Sequence, residues 1–298
     1  MKSGLRYLLG ICLFILAINL SAQDKPVREN NIIINSHSMH YYCTGTGSST
    51  IVLDVGIGET YRDWLPFLSM INDKVQIFCY DRAGYEESEM GALPRDSKTE
   101  VDELKTLLEK ANIKGPYILL GHSLGALNLQ IFASRYKNEV AGILLLDPPP
   151  LDWILGKGFP EMTKLAEQTT DNFKNLFDKM KASDNAGDRQ QANFFLTLSS
   201  EHEEMFSNSG KQVAAIKSFG DIPLVVIASG KANPQMGDDA LTYQKFWNEQ
   251  CKKLSLKSTK GEYLFAAKSS HHIHIDNPEI VINAINKLLL EVNYSTKS

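Results

Sequence analysis

Gly121-His122-Ser123-Leu124-Gly125 constrains the fold of this chain more than any other stretch. It lies between a short apolar run, Pro116–Gly121, and a segment with helical spacing, Leu124–Lys137. A strand that passes into a helix through so sharp a turn holds the serine at its tip in a strained backbone conformation. Side chains two residues before and two after would collide, so both positions must be glycine or very small. The turn also aims the helix N-terminus, with its free N–H groups and positive dipole end, at the serine. A bare G-x-S-x-G pattern is weak evidence. The strand before it and the helix after it make Ser123 a candidate nucleophile.

The rest of the sequence supplies a frame for such a turn. Asn31–Asn35 and His37–Cys43 read as a strand hairpin. Strand patterns follow at Thr50–Val55, Lys74–Tyr80 and Val140–Leu146, separated by helical patterns at Tyr61–Ile71 and Ser97–Ala111. Ser97 and Glu100 have capping-box spacing. The prolines 148–150 break the rhythm, and from about Leu151 to Gly220 the chain is helical and polar, with no strand pattern. Alternation resumes with Ile222–Ser229, Ala240–Leu254, Glu262–Ala267 and Pro278–Val292. The fold class is α/β: a mostly parallel twisted sheet with helices on both faces. The insertion at about 151–220 is too long for a plain loop and reads as a helical lid.

Composition narrows the function classes. The chain has 298 residues, 43% hydrophobic and 22% charged, with a net charge of −4, which suits a globular chain. No Lys/Arg stripe appears, so nucleic acid is not an expected partner. Lys2 and Arg6 precede an apolar stretch from Leu8 to Leu20, which is short for a membrane span and fits a signal peptide at 1–22, cleaved after Ala22. Residues 23–298 would then be secreted or periplasmic, with no stable membrane association. Cys43, Cys79 and Cys251 remain, and at least Cys43 and Cys79 read as buried free thiols in apolar runs.

With these landmarks in order, the sequence resembles the α/β-hydrolase fold superfamily over nearly the whole mature chain. Asp54-Val55-Gly56-Ile57-Gly58 stands where that family has its His-Gly oxyanion loop. Asp81-Arg82-Ala83-Gly84-Tyr85 resembles the family's D-x-x-G-x-G-x-S turn, which makes Asp81 and Arg82 a structural clamp. Ser269 to Pro278 resembles its S-G-H-x-x-x-x-D-x-P stretch.

The resemblance implies a Ser-acid-His relay. A serine needs a general base within hydrogen-bond reach. In the family pattern that base stands seven residues before the proline opening the last helix, which selects His271 over His272. His122, inside the elbow, is read as structural. The tight group His271, His272 and His274 is not read as a metal site, for lack of further ligands nearby. Most family members place the acid after the strand that follows the lid, but Asn233 stands there. Some place it one strand earlier, which selects Asp147, with Asp238, Asp239 and an Asn233 dyad as the alternatives. The oxyanion donors would be the backbone N–H groups of Ile57 and Leu124, with Gly56 and Gly58 allowing a tight bend. Glu59 and Tyr61 are placed at the pocket mouth.

The expected activity is cleavage of a carboxylic ester, or a related acyl bond, in a small-molecule acyl substrate without a cofactor. Acyltransferase, thioesterase and amidase chemistry would use the same residues. Relatives that open carbon–halogen bonds or epoxides use an aspartate where this chain has Ser123. A non-catalytic binding protein on the same fold is the alternative from another class. Among the lid side chains, Trp153, Phe159, Phe173, Phe177, Met180, Phe194, Phe195 and Met205 are read mostly as lid core, with a few facing the substrate.

Overall fold

The computed structural model describes residues 27–71 and 75–295, so the leader read at 1–22 lies outside the described residues. Eight strands form one sheet: β1 Val27–Ile34, β2 His37–Thr44, β3 Thr50–Asp54, β4 Gln76–Tyr80, β5 Tyr117–His122, β6 Val140–Leu146, β7 Leu224–Ser229 and β8 Gly261–Ala266. Their order is β1-β2-β4-β3-β5-β6-β7-β8, antiparallel from β1 through β4 and parallel from there to β8. β1 and β2 form the expected hairpin, and Asn35 turns it at φ 56°. Asparagine tolerates that left-handed conformation better than most residues.

The central strands are apolar without interruption because both faces are covered. Val52, Leu119, Ile143, Leu145 and Val226 face a core shared with helices α2 (Ser97–Lys110), α3 (Leu124–Arg135) and α8 (Ala240–Ser255). Ile51, Leu53, Leu120, Leu144 and Ile227 alternate with them and face α1 (Tyr61–Leu68) and the last helix (Pro278–Ser295). α1 ends at Leu68, short of the expected Ile71. The capping box expected at Ser97 and Glu100 is out of register. Asp96 caps α2 by accepting from Thr99 N at 2.8 Å, while buried Glu100 turns to Arg95 at 2.8 Å. A capping box does occur at Thr60 and Asp63, before α1.

Between β6 and β7 the insertion folds as α4 (Leu151–Ile154), α5 (Pro160–Lys181), α6 (Ala186–Glu204), a π turn (Met205–Ser209) and α7 (Gly210–Ala214). Its attachment is polar. The opening N–H groups of α2 have no intrahelical acceptor. Ser97 N donates to Ser209 Oγ at 2.8 Å and Lys98 N to Gln212 Oε1 at 3.0 Å. Gln212 Nε2 returns a bond to Asp96 Oδ2 at 2.7 Å. Cys43, Cys79 and Cys251 are buried free thiols.

Within the insertion, α5 meets α6 through Thr170 Oγ and His202 Nδ1, 2.8 Å apart. Burial pushes the His202 pKa down to about 4. In the unfolded chain the same imidazole titrates near 6.5. Its stabilising contribution is complete above about pH 6.5 and is lost as the pH falls toward 4, because protonation favours the unfolded chain. The full difference is worth roughly 3 kcal/mol. His202→Gln should therefore flatten the fall in urea midpoint between pH 7 and pH 4. An unchanged pH slope in the variant would place the acid sensitivity elsewhere.

Candidate active site

Five loops leave the carboxyl ends of parallel strands and meet at one cavity, as open α/β sheets commonly arrange their sites. The turn after β5 carries Ser123 at φ 50°, ψ −119°, a conformation that costs energy for any residue with a Cβ. The flanking glycines permit it. A Cβ on Gly121 would lie 2.7 Å from Ala126 Cα, and one on Gly125 would overlap the Asp54 carbonyl.

Asp147, directly after β6, is buried. Its Oδ1 accepts from Ser229 N at 2.8 Å and its Oδ2 from Ser229 Oγ at 2.9 Å. His271, beyond β8, places Nδ1 2.7 Å from Asp147 Oδ2. The structure thus joins His271 to Asp147 across the end of β7. Ser229 supports that carboxylate, and Gln244 Nε2 in turn donates to the Ser229 carbonyl at 2.8 Å. Asn233 lines the cavity, whereas Asp238 and Asp239 are exposed and do not.

The cavity holds about 590 Å³ and includes Ser123, His271, Asp147, Ile57 and Leu124 in its lining. Trp153 and Met205 come from the insertion, together with Met162 and His202. Phe173, Phe177, Met180, Phe194 and Phe195 do not line it; Phe194 instead packs edge-on against Tyr85. The loop carrying Ile57 is held from beneath. Arg82 Nη1 donates to the Val55 carbonyl at 2.8 Å and Nη2 to the Gly56 carbonyl at 2.9 Å.

Glu59 and Tyr61 are not at the pocket mouth. Buried Tyr61 donates to Glu29, on the far side of the loop. Glu59 Oε2 accepts from Gly56 N at 2.7 Å and Trp64 Nε1 at 3.2 Å, and lies 2.9 Å from His122 Nδ1. Its Oε1 lies 3.1 Å from His272 Nε2. Burial alone would raise the Glu59 pKa. The bonds from His122, His272 and Gly56 outweigh it and hold the carboxyl well below the usual range. Sequence reasoning missed this hub. The available signal was an acid three residues beyond Gly56, in a loop lacking the usual histidine.

The three histidines of the tail take separate partners: His271 Asp147, His272 Glu59, and His274 the face of Trp64, with ring centroids 3.6 Å apart. Burial, reinforced by His122, pushes the His274 pKa down to about 3. Among the described residues, no group of three or more His, Cys, Asp or Glu side chains is arranged to hold a metal ion. Nor is any described helix long and apolar enough to cross a membrane.

Known proteins place the chain. The family model of the alpha/beta hydrolase fold matches residues 50–171. The chain is 31% identical over 250 residues to the uncharacterized protein YqjL of Bacillus subtilis, covering 84% of this chain and 86% of the relative. Among solved structures, haloalkane dehalogenase DbeA from Bradyrhizobium elkani USDA94 superposes with a TM-score of 0.68 at 13% identity, over 91% of this chain and 100% of that one. A thermophilic esterase from Thermogutta terrifontis gives 0.61 at 17% identity, over 89% and 99%. These two likenesses concern the fold. This chain belongs to the α/β-hydrolase fold family.

Proposed function

We propose that the protein is a serine hydrolase that cleaves a carboxylic ester through an acyl-enzyme. The observation that carries this reading is the 2.7 Å contact between His271 Nδ1 and Asp147, in a cavity that also holds the strained Ser123. With Nδ1 donating to Asp147, the other ring nitrogen is left unprotonated and able to act as a base. Ser123 Oγ attacks the acyl carbon while His271 Nε2 takes its proton. The carbonyl oxygen becomes an oxyanion, for which the Ile57 and Leu124 N–H groups are the donors. His271 then gives the proton to the departing alkoxide. Water, activated by the same nitrogen, releases the acid and restores the serine.

The parts support one another chemically. A buried carboxyl held by two hydrogen bonds from Ser229 is fixed in place and orients the base. The α3 N-terminus adds a positive potential where negative charge develops. The mixed lining, from Trp153 and Met205 to Ser229 and Gln244, suits a small ester with an apolar acyl or alcohol group. Ser123 also separates this chemistry from carbon–halogen cleavage, which needs a carboxylate nucleophile. We further propose that the chain is exported, on the strength of its leader sequence.

A fluorophosphonate probe should label the protein, and Ser123→Ala should abolish labelling. Absence of labelling in folded protein would favour a binding role on the same fold. Asp147→Asn should lower kcat for p-nitrophenyl acetate by roughly 10⁴ with little change in KM, since the amide favours the wrong tautomer. Near-normal turnover in that variant would remove Asp147 from the relay.

A further inference from the structure

His271 is held at two ends, and only one belongs to the relay. Asp147 holds the ring. The backbone carbonyl of the same residue lies 3.0 Å from His122 Nε2. His122 is buried in the elbow beside Ser123, and its Nδ1 lies 2.9 Å from Glu59 Oε2. A carbonyl oxygen accepts hydrogen bonds and does not donate them. An ionised carboxylate does the same. Each contact of the His122 ring therefore needs its own proton. If the ring holds one proton, one contact becomes a repulsion between lone pairs; burial pulls the His122 pKa down, and the Glu59 carboxylate and the His271 carbonyl oppose it.

Glu59 connects this ring to the other half of the site. The same Oε2 accepts from Gly56 N at 2.7 Å, in the loop that leads directly to Ile57. One carboxylate oxygen thus binds the oxyanion loop and, through His122, the loop of the base. Gly56 is part of the fit, because a Cβ there would lie 3.0 Å from both Glu59 Oε2 and His122 Nδ1.

We propose that Glu59 and His122 form a second acid–histidine couple, sharing an extra proton, which positions the backbone of His271 and the Ile57 loop relative to Ser123. The proposal rests on the serine-hydrolase reading for its consequence but not for its proton count. Neither residue touches substrate; both are positioning residues. The groups facing the couple are His271, His272 and His274, with ring centroids 4.6, 5.5 and 5.6 Å from that of His122, and the indole of Trp64 at 5.6 Å. The other carboxylate oxygen lies against His272.

Glu59→Gln keeps the shape and removes one acceptor. If the amide oxygen faces Gly56 and Trp64, His122 must keep its proton on Nδ1 and surrenders the His271 carbonyl. If the amide nitrogen faces His122, the Gly56 and Trp64 N–H groups lose their acceptor. Neither orientation satisfies both loops.

The test combines a proton count with a rate. In the chain labelled with ¹⁵N at histidine, His122 should show two ring N–H groups at pH 7. Separately, the maximal rate of fluorophosphonate labelling per folded molecule should fall on the order of ten- to a hundredfold in Glu59→Gln, as expected for a misplaced reactive group. The half-saturating probe concentration should change little. His122→Asn should do the same, and urea midpoints of both variants establish the folded fraction. A single ring N–H on His122 overturns the proposal, as does a wild-type maximal labelling rate in folded Glu59→Gln. If the wild-type protein does not label at all, the serine-hydrolase reading fails, and the histidine spectrum still decides the proton count.

Discussion

Arg82 is the cation around which this site is assembled. It is buried, and a buried charge is tolerated only when paired and hydrogen-bonded. A guanidinium has five N–H donors in a rigid fork, and each has an acceptor here. Nε reaches Glu201 at 2.8 Å, Nη1 reaches Asp54 and the Val55 carbonyl, and Nη2 reaches the Gly56 carbonyl and Tyr85 Oη. Those acceptors come from the end of β3, the loop that follows it, the turn after β4 and helix α6. Removing one partner of such a pair leaves an uncompensated charge and typically costs about 3–5 kcal/mol. The insertion is therefore tied to the sheet by charge as well as by apolar packing. The loop carrying Ile57 is held at the Val55 and Gly56 carbonyls by Arg82 and at the Gly56 N–H by Glu59.

How much of this was legible from the sequence depended on the range of each interaction. The elbow was legible because its constraint is local: two glycines, a serine, a strand and a helix within a few residues. The parallel sheet was legible because alternate residues of β3, β5, β6 and β7 face two covered cores, which yields unbroken apolar runs. Asp147 and His271 are 124 residues apart and were accessible only through the order of strands, which sets their ends side by side. Arg82 was recognised as structural, but its partner Glu201 lies 119 residues away in the insertion. No spacing rule links them. The misread cap at Ser97 has a plainer cause. Ser97-x-x-Glu100 and Asp96-x-x-Thr99 are overlapping solutions for the same helix start. Burial of Glu100 against Arg95 decides between them, and that is a tertiary fact.

Glu59 was misplaced for a related reason. An acid in a loop beside a catalytic turn invites a reading as a pocket residue, since exposed loop carboxylates commonly face solvent or ligand. Here the loop curls so that the side chain points back under it, toward the elbow. Gly58 supplies the curl at φ 77°. Gly56 serves differently: it is not in the left-handed region, and its lack of a side chain leaves room for Glu59 and His122. Two glycines that look equivalent in the sequence answer to separate constraints, one of backbone conformation and one of space.

The same economy of space explains why four histidines gather here without forming a metal site. A metal needs several lone pairs directed at one point. Each ring instead has a partner in another direction: Asp147 for His271, the Glu59 oxygens for His122 and His272, and the Trp64 face for His274. The rings also differ in the proton they hold. His274 is kept neutral by burial, and His272 is pulled toward the charged form chiefly by its bond to Glu59. His271, between such neighbours, experiences a field that depends on where each proton sits. The loop carrying Val55 and Ile57 has no histidine of its own and lies against the elbow histidine at position 122. One Glu59 oxygen contacts both, Gly56 N at 2.7 Å and His122 Nδ1 at 2.9 Å, so the loop and the elbow meet at a single carboxylate.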